Sequence, residues 1–370
     1  MEKSQASYPI LPVQPPCPAI IHGIGAVSDR YDVFLVDQYG VLHNGSEPYP
    51  GAIDCFARLL AQPSTSGFDG GAARIVLLSN TSKRSAGLRE KLAAFGFDPR
   101  FLGAVTGGEV AWGYLNSRRD HLQRCALLTA DVTESVAQRK TNPQSLFHGL
   151  DLEVVDVDAA QFLLVEGSRQ VCYSAHPSEA LHTNFHSTGE LDDQVREFLQ
   201  RGRARDLLML CTNPDLVAVI KDDRIAHMGG TIAKLYEEMG GRVEYFGKPR
   251  KEHFQLCLDM AGATDRARVV HIGDSLHHDV QGAANTGIDS IFIAGGVHAR
   301  ELGMFGSTEG CDDDNHGASD GGGGEGEDGG GEDGNDTSGG SRVAVQPKPL
   351  QDLCDKVGVY PTFTVPRFVW

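Results

Sequence analysis

The sequence predicts an α/β protein with a largely parallel sheet. Three observations point there. Short apolar runs alternate with amphipathic helical stretches along most of the chain. At 370 residues the chain is longer than one ordinary domain and suits two. Apolar residues make up 40%, enough to build a core.

The elements follow in order. Residues 1–28 carry five prolines and little periodicity, which predicts an extended arm on the surface. Val33 to Val36 is an apolar run ending at Asp37, and Pro50 to Leu60 opens with Pro and Gly and continues as helix. Residues 62–73 predict a flexible loop. Ile75 to Leu78 is a second buried strand, followed by an amphipathic helix over 82–95 that Gly96 closes. Helix is expected from Glu109 to Leu115, with strands at Ala126–Leu128, Val154–Val157 and Phe162–Val165. A helix at Leu191–Gln200 and a strand at Leu207–Leu210 follow, then a helix at Ile232–Met239 and an extended run at Val243–Phe246. The last alternation is a helix at Glu252–Met260, a strand at Val269–Ile272, a helix opening after Gly273 and a strand at Ser290–Ile293.

The formal charge is −17, with no basic stripe, which argues against a nucleic-acid partner. Ser307 to Ser341 holds eleven of the acidic residues and neither Lys nor Arg, so the remainder carries −6 (−17 + 11). That stretch also holds 13 of the 45 glycines and predicts a disordered surface loop. Eight scattered cysteines without a CxxC pair favour reduced thiols in a cytoplasmic setting. No apolar run approaches the ~20 residues of a membrane span, and no targeting segment is expected. The aromatic-rich end, Pro361 to Trp370, is expected to dock back onto the fold.

Four strand ends stop at residue types that phosphate chemistry uses. They are Val36-Asp37-Gln38-Tyr39-Gly40, Leu78-Ser79-Asn80, Phe246-Gly247-Lys248-Pro249, and His271-Ile272-Gly273-Asp274 with Asp279 five residues on. In parallel sheets such strand ends carry function. A carboxylate can serve as nucleophile, carboxylates can hold a hard divalent cation, and Lys, hydroxyl and amide groups can bind phosphoryl oxygens.

Motifs, order and spacing resemble the haloacid dehalogenase superfamily, and the ~150 residues between the second and third motifs resemble its subfamily IIA. Gly40-Val41-Leu42-His43-Asn44-Gly45, Pro50-Gly51-Ala52, Thr212-Asn213-Pro214-Asp215 and Ala283-Ala284-Asn285-Thr286-Gly287 resemble the same subfamily. The resemblance implies a doubly wound, mainly parallel Rossmann-like core with an inserted α/β cap. The implied division is an arm at 1–28, core at 29–117, cap at 118–241, core again at 242–305, insert at 306–342, and a C-terminal segment at 343–370 packed on the core.

It further implies Mg²⁺-dependent hydrolysis of a small phosphorylated metabolite. Asp37 would attack phosphorus and bind the metal, together with the backbone carbonyl of Tyr39, Asp274 and Asp279. Ser79, the amide near Asn80 and Lys248 would bind phosphate, and Asn213 and Asp215 would shape the cap side of the site. Homo-oligomerisation is left open.

One position departs from the pattern. Tyr39 stands where the family has a second Asp serving as general acid and base. A phenol with a pKa near 10 can donate a proton but is a poor base at pH 7. The alternative reading is therefore a catalytically weak phosphate-binding or regulatory protein. His43 is either a substitute acid/base or a structural loop histidine. His176, His182 and His186 lack the spacing of a zinc site and read as cap surface. His277 and His278 read as loop or helix-start residues. Gly107-Gly108 is not a nucleotide loop.

Overall fold

The computed structural model describes residues 18–64, 71–130, 133–220, 224–304 and 344–370. The acidic Gly-rich stretch and most of the proline-rich N-terminus lie outside the described residues, as does the middle of the loop expected at 62–73.

Along the strand Val33–Val36 all four side chains are buried, as a strand covered on both faces requires. The two-residue period splits them. Phe34 and Val36 pack with Ala52, Phe56 and Leu59 of the helix Ala52–Ala61. Val33 and Leu35 pack with Phe254, Cys257 and Leu258 of the helix Lys251–Ala261 on the opposite face. The apolar stripe Ala52, Cys55, Phe56, Leu59 and Leu60 is the 3.6-residue pattern that lets the first helix lie on the sheet.

In chain order the strands are β1 (Ala19–Ile20), β2 (Val33–Val36), β3 (Arg74–Ser79) and β4 (Gly103–Thr106), then β5 (Arg124–Thr129), β6 (Glu153–Val154), β7 (Phe162–Val165), β8 (Gln170–Cys172), β9 (Leu181–His182) and β10 (Leu208–Cys211). The hairpin β11 (Val217–Ile220) and β12 (Arg224–His227) precedes β13 (Arg242–Tyr245), β14 (Val269–Gly273), β15 (Asp289–Ile293) and β16 (Phe363–Val365). The first sheet runs β1-β16-β15-β14-β2-β3-β4, and every pairing is parallel. Its strand order reverses between β14 and β2, the switch point where open parallel sheets place their sites. The second sheet runs β13-β10-β7-β5-β8-β9, with β6 also on β5. The fold is thus doubly wound α/β with an inserted α/β unit.

Several local expectations change. The chain near Ala19 is not a loose arm: β1 pairs with β16, and Ile24 and Val27 enter the core. The Ile24 amide donates to the Val369 carbonyl at 2.8 Å, which ties the C-terminal segment to the first sheet. The helix expected over 82–95 spans only Leu88–Ala94. Residues before it are held as a loop because Arg84 and Ser85 both donate to Glu109. The strand expected at Val154–Val157 stops at Val154, because Asp156 caps a tight turn over Val157–Ala159. β13 pairs with β10, so the chain regains the first sheet only after Tyr245 rather than at 242. The six described cysteines are all unbridged and buried. Among the described residues no helix is long and apolar enough to cross a membrane.

Phe56 is wholly buried, with edge-on contacts to Phe97 and Phe101 at 5.5 and 6.2 Å between ring centres. Phe56→Ala should cost about 3–5 kcal/mol of unfolding free energy by denaturant titration. Ile53→Ala, on the exposed side of the same helix, should cost less than about 1 kcal/mol.

Candidate active site

β2 and β14 are neighbours at the switch point, and the Asp37 amide donates to the Ile272 carbonyl at 2.9 Å. This pairing brings the two strand ends together. Asp37 leaves β2 and Asp274 leaves β14, while Asp279 lies a turn further on, within the helical segment Leu276–Val280. Oxygens of Asp37, Asp274 and Asp279 lie within 4.8 Å of one another, and all three residues are buried.

Lys248 reaches this group from the segment after β13. Its ammonium lies 2.8 Å from Asp37 Oδ1 and 2.7 Å from Asp279 Oδ1, and its side chain is 2% exposed. Asp279 is the most fully bonded of the three. Oδ1 also accepts from His271 Nε2 at 2.6 Å, and Oδ2 accepts from the Ser275 amide at 3.0 Å. Asp274 Oδ2 accepts from the Val297 amide at 2.8 Å.

Three carboxylates thus face one ammonium. Burial pushes the Asp37 carboxyl up to about 7, with Lys248 opposing and Asp279 adding to the rise. Burial and the Asp37 charge push Asp274 up as well. Asp279 stays low because Lys248 and His271 outweigh its burial. Burial pushes the His271 imidazole down despite Asp279, which suits a neutral ring donating from Nε2. The Lys248 ammonium is held protonated, Asp279 and Asp37 overcoming its burial.

Glycine is required where the backbone runs against these carboxylates. A Cβ on Gly40 or on Gly296 would collide with Asp274, and Gly40 also has φ +77°. The donor set is hard oxygen with excess negative charge, which fits a divalent cation such as Mg²⁺. Asp37, Asp274 and Asp279 each offer a carboxylate oxygen that could hold one, and Asp279 is also bonded to Lys248, His271 and the Ser275 amide.

The remaining sequence-predicted residues fall as follows. Ser79, at the end of β3, is buried, and its hydroxyl lies 3.4 Å from the Thr81 amide. Asn80 spends its side chain within the protein: Oδ1 accepts from the Lys248 amide at 2.7 Å, and Nδ2 donates to Asp215 at 2.7 Å. Asn213 Oδ1 accepts from the Asp215 amide at 3.0 Å. Asn213 and Asp215 therefore form a turn latched to Asn80, with His278 Nδ1 3.4 Å from the same Asp215 oxygen.

The Tyr39 ring is 45% exposed and meets the His43 ring edge-on at 4.9 Å. His43 is wholly buried, accepts from the Gly45 amide at 3.0 Å, and is pushed down to about 4 by burial. Those features suit a neutral loop histidine. His186 is bonded to Ser168 and Arg169, both at 3.1 Å.

Sequence reasoning missed His271 as a site residue. The available signal was a lone imidazole inside the apolar run Val269-Val270-His271-Ile272.

A doubly wound α/β core that gathers three carboxylates and a lysine at its switch point, with a second α/β unit inserted, defines a narrow class of fold. Sequence profiles agree. That of haloacid dehalogenase-like hydrolases matches residues 34–140, and that of HAD-hydrolase-like proteins matches 245–309. Asp37 and Ser79 fall in the first match, and Lys248, Asp274 and Asp279 in the second. Both parts of the core thus match profiles of haloacid dehalogenase-like hydrolases.

A haloacid dehalogenase-like family hydrolase from Brucella suis 1330 superposes with a TM-score of 0.59 at 26% identity, covering 76% of this chain and 92% of that one. A structure from Cytophaga hutchinsonii described as a possible sugar phosphatase shares the fold, with a TM-score of 0.61 at 17% identity over 95% and 99% of the two chains. A Caenorhabditis elegans protein described as a NipSnap protein is 28% identical over 275 residues, which is 69% of this chain and 47% of that protein. This chain therefore spans about half the length of that curated relative.

Lys248→Ala would leave three buried carboxylates facing one another without their ammonium. It should lower the unfolding free energy by about 3–5 kcal/mol in denaturant titrations without divalent cations. Lys356→Ala removes a cation whose partner Glu301 is solvent-facing, and should cost less than about 1 kcal/mol.

Proposed function

We propose that the protein is a Mg²⁺-dependent phosphatase that hydrolyses a small phosphomonoester through a phospho-Asp37 intermediate. The observation that carries this reading is the buried Asp37, Asp274 and Asp279 cluster bridged by Lys248 at the switch point. A bound divalent cation supplies positive charge against the phosphoryl oxygens.

The chain's own groups do the rest. Lys248 holds Asp37 Oδ1, so attack is assigned to Oδ2. A bond forms from Oδ2 to phosphorus as the bond to the leaving-group oxygen breaks, and the departing alkoxide takes a proton from solvent. Water then attacks phosphorus and gives up a proton to solvent as the Oδ2–phosphorus bond breaks, which releases inorganic phosphate and restores the Asp37 carboxylate. Asp279 and His271 keep Lys248 aimed. Ser79 and the backbone amides after it meet the transferring oxygens. The inserted unit, latched at Asp215 to Asn80, limits the size of the substrate. Residues 118–241, with β13 added, act as the cap in this reading.

A second reading rests on Tyr39. An exposed phenol at the acid/base position suits a protein that binds phosphate esters and turns them over slowly.

Purified protein with p-nitrophenyl phosphate tests the first reading, because an aryl leaving group needs little protonation. Hydrolysis should require Mg²⁺, stop in EDTA and be lost in Asp37→Asn. Activity that survives either change would overturn the covalent mechanism.

Tyr39→Asp separates the two readings. If missing acid/base help limits turnover, single-turnover rates on an alkyl phosphate should rise by ~10²–10⁴. If Tyr39 is itself a positioned donor, the same change should lower them.

A further inference from the structure

After β15 the chain continues as Ala294-Gly295-Gly296-Val297-His298, beside the loop that carries Asp274 and Asp279. Two successive residues of this run hold that loop at two places. The Val297 amide donates to Asp274 Oδ2 at 2.8 Å. His298 Nε2 accepts from the Leu276 amide at 3.4 Å, where the helical segment Leu276–Val280 begins. Gly296 permits the approach, because a Cβ there would lie 2.2 Å from Asp274 Oδ2.

The histidine is set up to accept. Its side chain is buried, and the ring centres of Phe292 and His277 lie 5.9 and 6.2 Å from its own. Nδ1 lies 2.6 Å from Glu301 Oε2. A carboxylate can only accept, so Nδ1 carries the hydrogen and Nε2 of the neutral ring offers its lone pair. The Leu276 amide needs that lone pair, because N–H groups in a first helical turn find no carbonyl within their own helix. The amides around it are served in similar fashion. That of Ser275 donates to Asp279 Oδ2 at 3.0 Å, and that of His278 to Ser275 Oγ at 3.3 Å. Glu301 also meets Lys356 at 3.3 Å, on the helix Pro347–Val357. Leu350, Leu353 and Cys354 of that helix share one apolar cluster with Leu276 and Val280.

We propose that His298 is a positioning residue for the cation-holding loop and that Glu301 fixes its tautomer. His298 acts through the Leu276 amide. It sets the start of the segment from which Asp279 reaches Lys248, while Val297 beside it sets Asp274. The proposal rests on the reading of the three carboxylates as a divalent-cation site and names the residues that keep two of them in register.

The test compares the full chain with His298→Gln and His298→Asn, two amides that differ in reach. The Gln amide oxygen can stand where Nε2 stands and accept from Leu276, but the side chain loses the bond to Glu301. The shorter Asn amide can stand where Nδ1 stands and donate to Glu301, but it leaves the Leu276 amide without its acceptor. Mg²⁺ alone is titrated calorimetrically into each protein, well below the melting temperature of the least stable one.

His298→Gln should bind Mg²⁺ nearly as the parent does, and His298→Asn about tenfold more weakly, the usual worth of an outer partner of a metal site. A merely space-filling histidine would not separate the two amides. Parent-like affinity in the Asn variant, or equal losses in both, overturns the proposal. If the Asn variant does not fold, Glu301→Ala decides. It lets the hydrogen move to Nε2 and should weaken Mg²⁺ by about 2–10-fold, the worth of one hydrogen bond; an unchanged affinity there overturns the dyad. If the parent protein binds no Mg²⁺, the cation reading has failed instead. The positioning role is then judged by amide hydrogen exchange over residues 274–280 in the metal-free protein. Faster exchange in the Asn variant with parent-like exchange in the Gln variant supports it, and equal exchange in all three overturns it.

Discussion

Everything at this site depends on one buried ammonium. Lys248 is enclosed between Asp37 and Asp279, and a charge so deeply buried is tolerated only where partners replace water. The converse also holds. Three carboxylates within 4.8 Å of one another could not share this space without it. Because one cation does not balance three anions, the arrangement retains an attraction for further positive charge. That residual field, rather than any single ligand, is what suits the cluster to a divalent ion.

The same lysine links the two α/β units. Its backbone amide donates to Asn80, and Asn80 donates onward to Asp215. The ends of β2, β3, β13 and β14 are thereby tied through one short hydrogen-bonded path. Asn80 thus acts as a joint between the first sheet and the turn that follows β10. Any displacement of that turn would be felt at Lys248, two hydrogen bonds away through Asn80.

His271 shows how support for a site hides in a core. It occupies a position on β14 that the strand pattern assigns to the interior, and it shares Asp279 Oδ1 with Lys248. With Ser275 holding the other oxygen, Asp279 can hardly rotate, and Lys248 inherits that fixed position. Tyr39 is the opposite case, a large aromatic group left 45% exposed at the mouth of the site. Its ring rests edge-on against His43 and beneath the Lys91 ammonium.

The sequence by itself determined the doubly wound core and the strand ends that carry Asp37, Ser79, Lys248 and Asp274. Apolar runs ending in polar residues are local signals, and parallel strands covered on both faces have little freedom in how they read. It also marked Tyr39 as a departure. Only the tertiary structure decided which groups meet. That β13 joins the second sheet, that Ile24 bonds to Val369, and that Asn80 reaches Asp215 across 135 positions are long-range pairings with no local trace. The shortening of the helix to Leu88–Ala94 has the same origin, since Glu109 holds Arg84 and Ser85 in a loop that propensity alone would have wound. Residue types announce what chemistry is available. Packing decides the partners, because burial makes each charge depend on neighbours that lie far away along the chain.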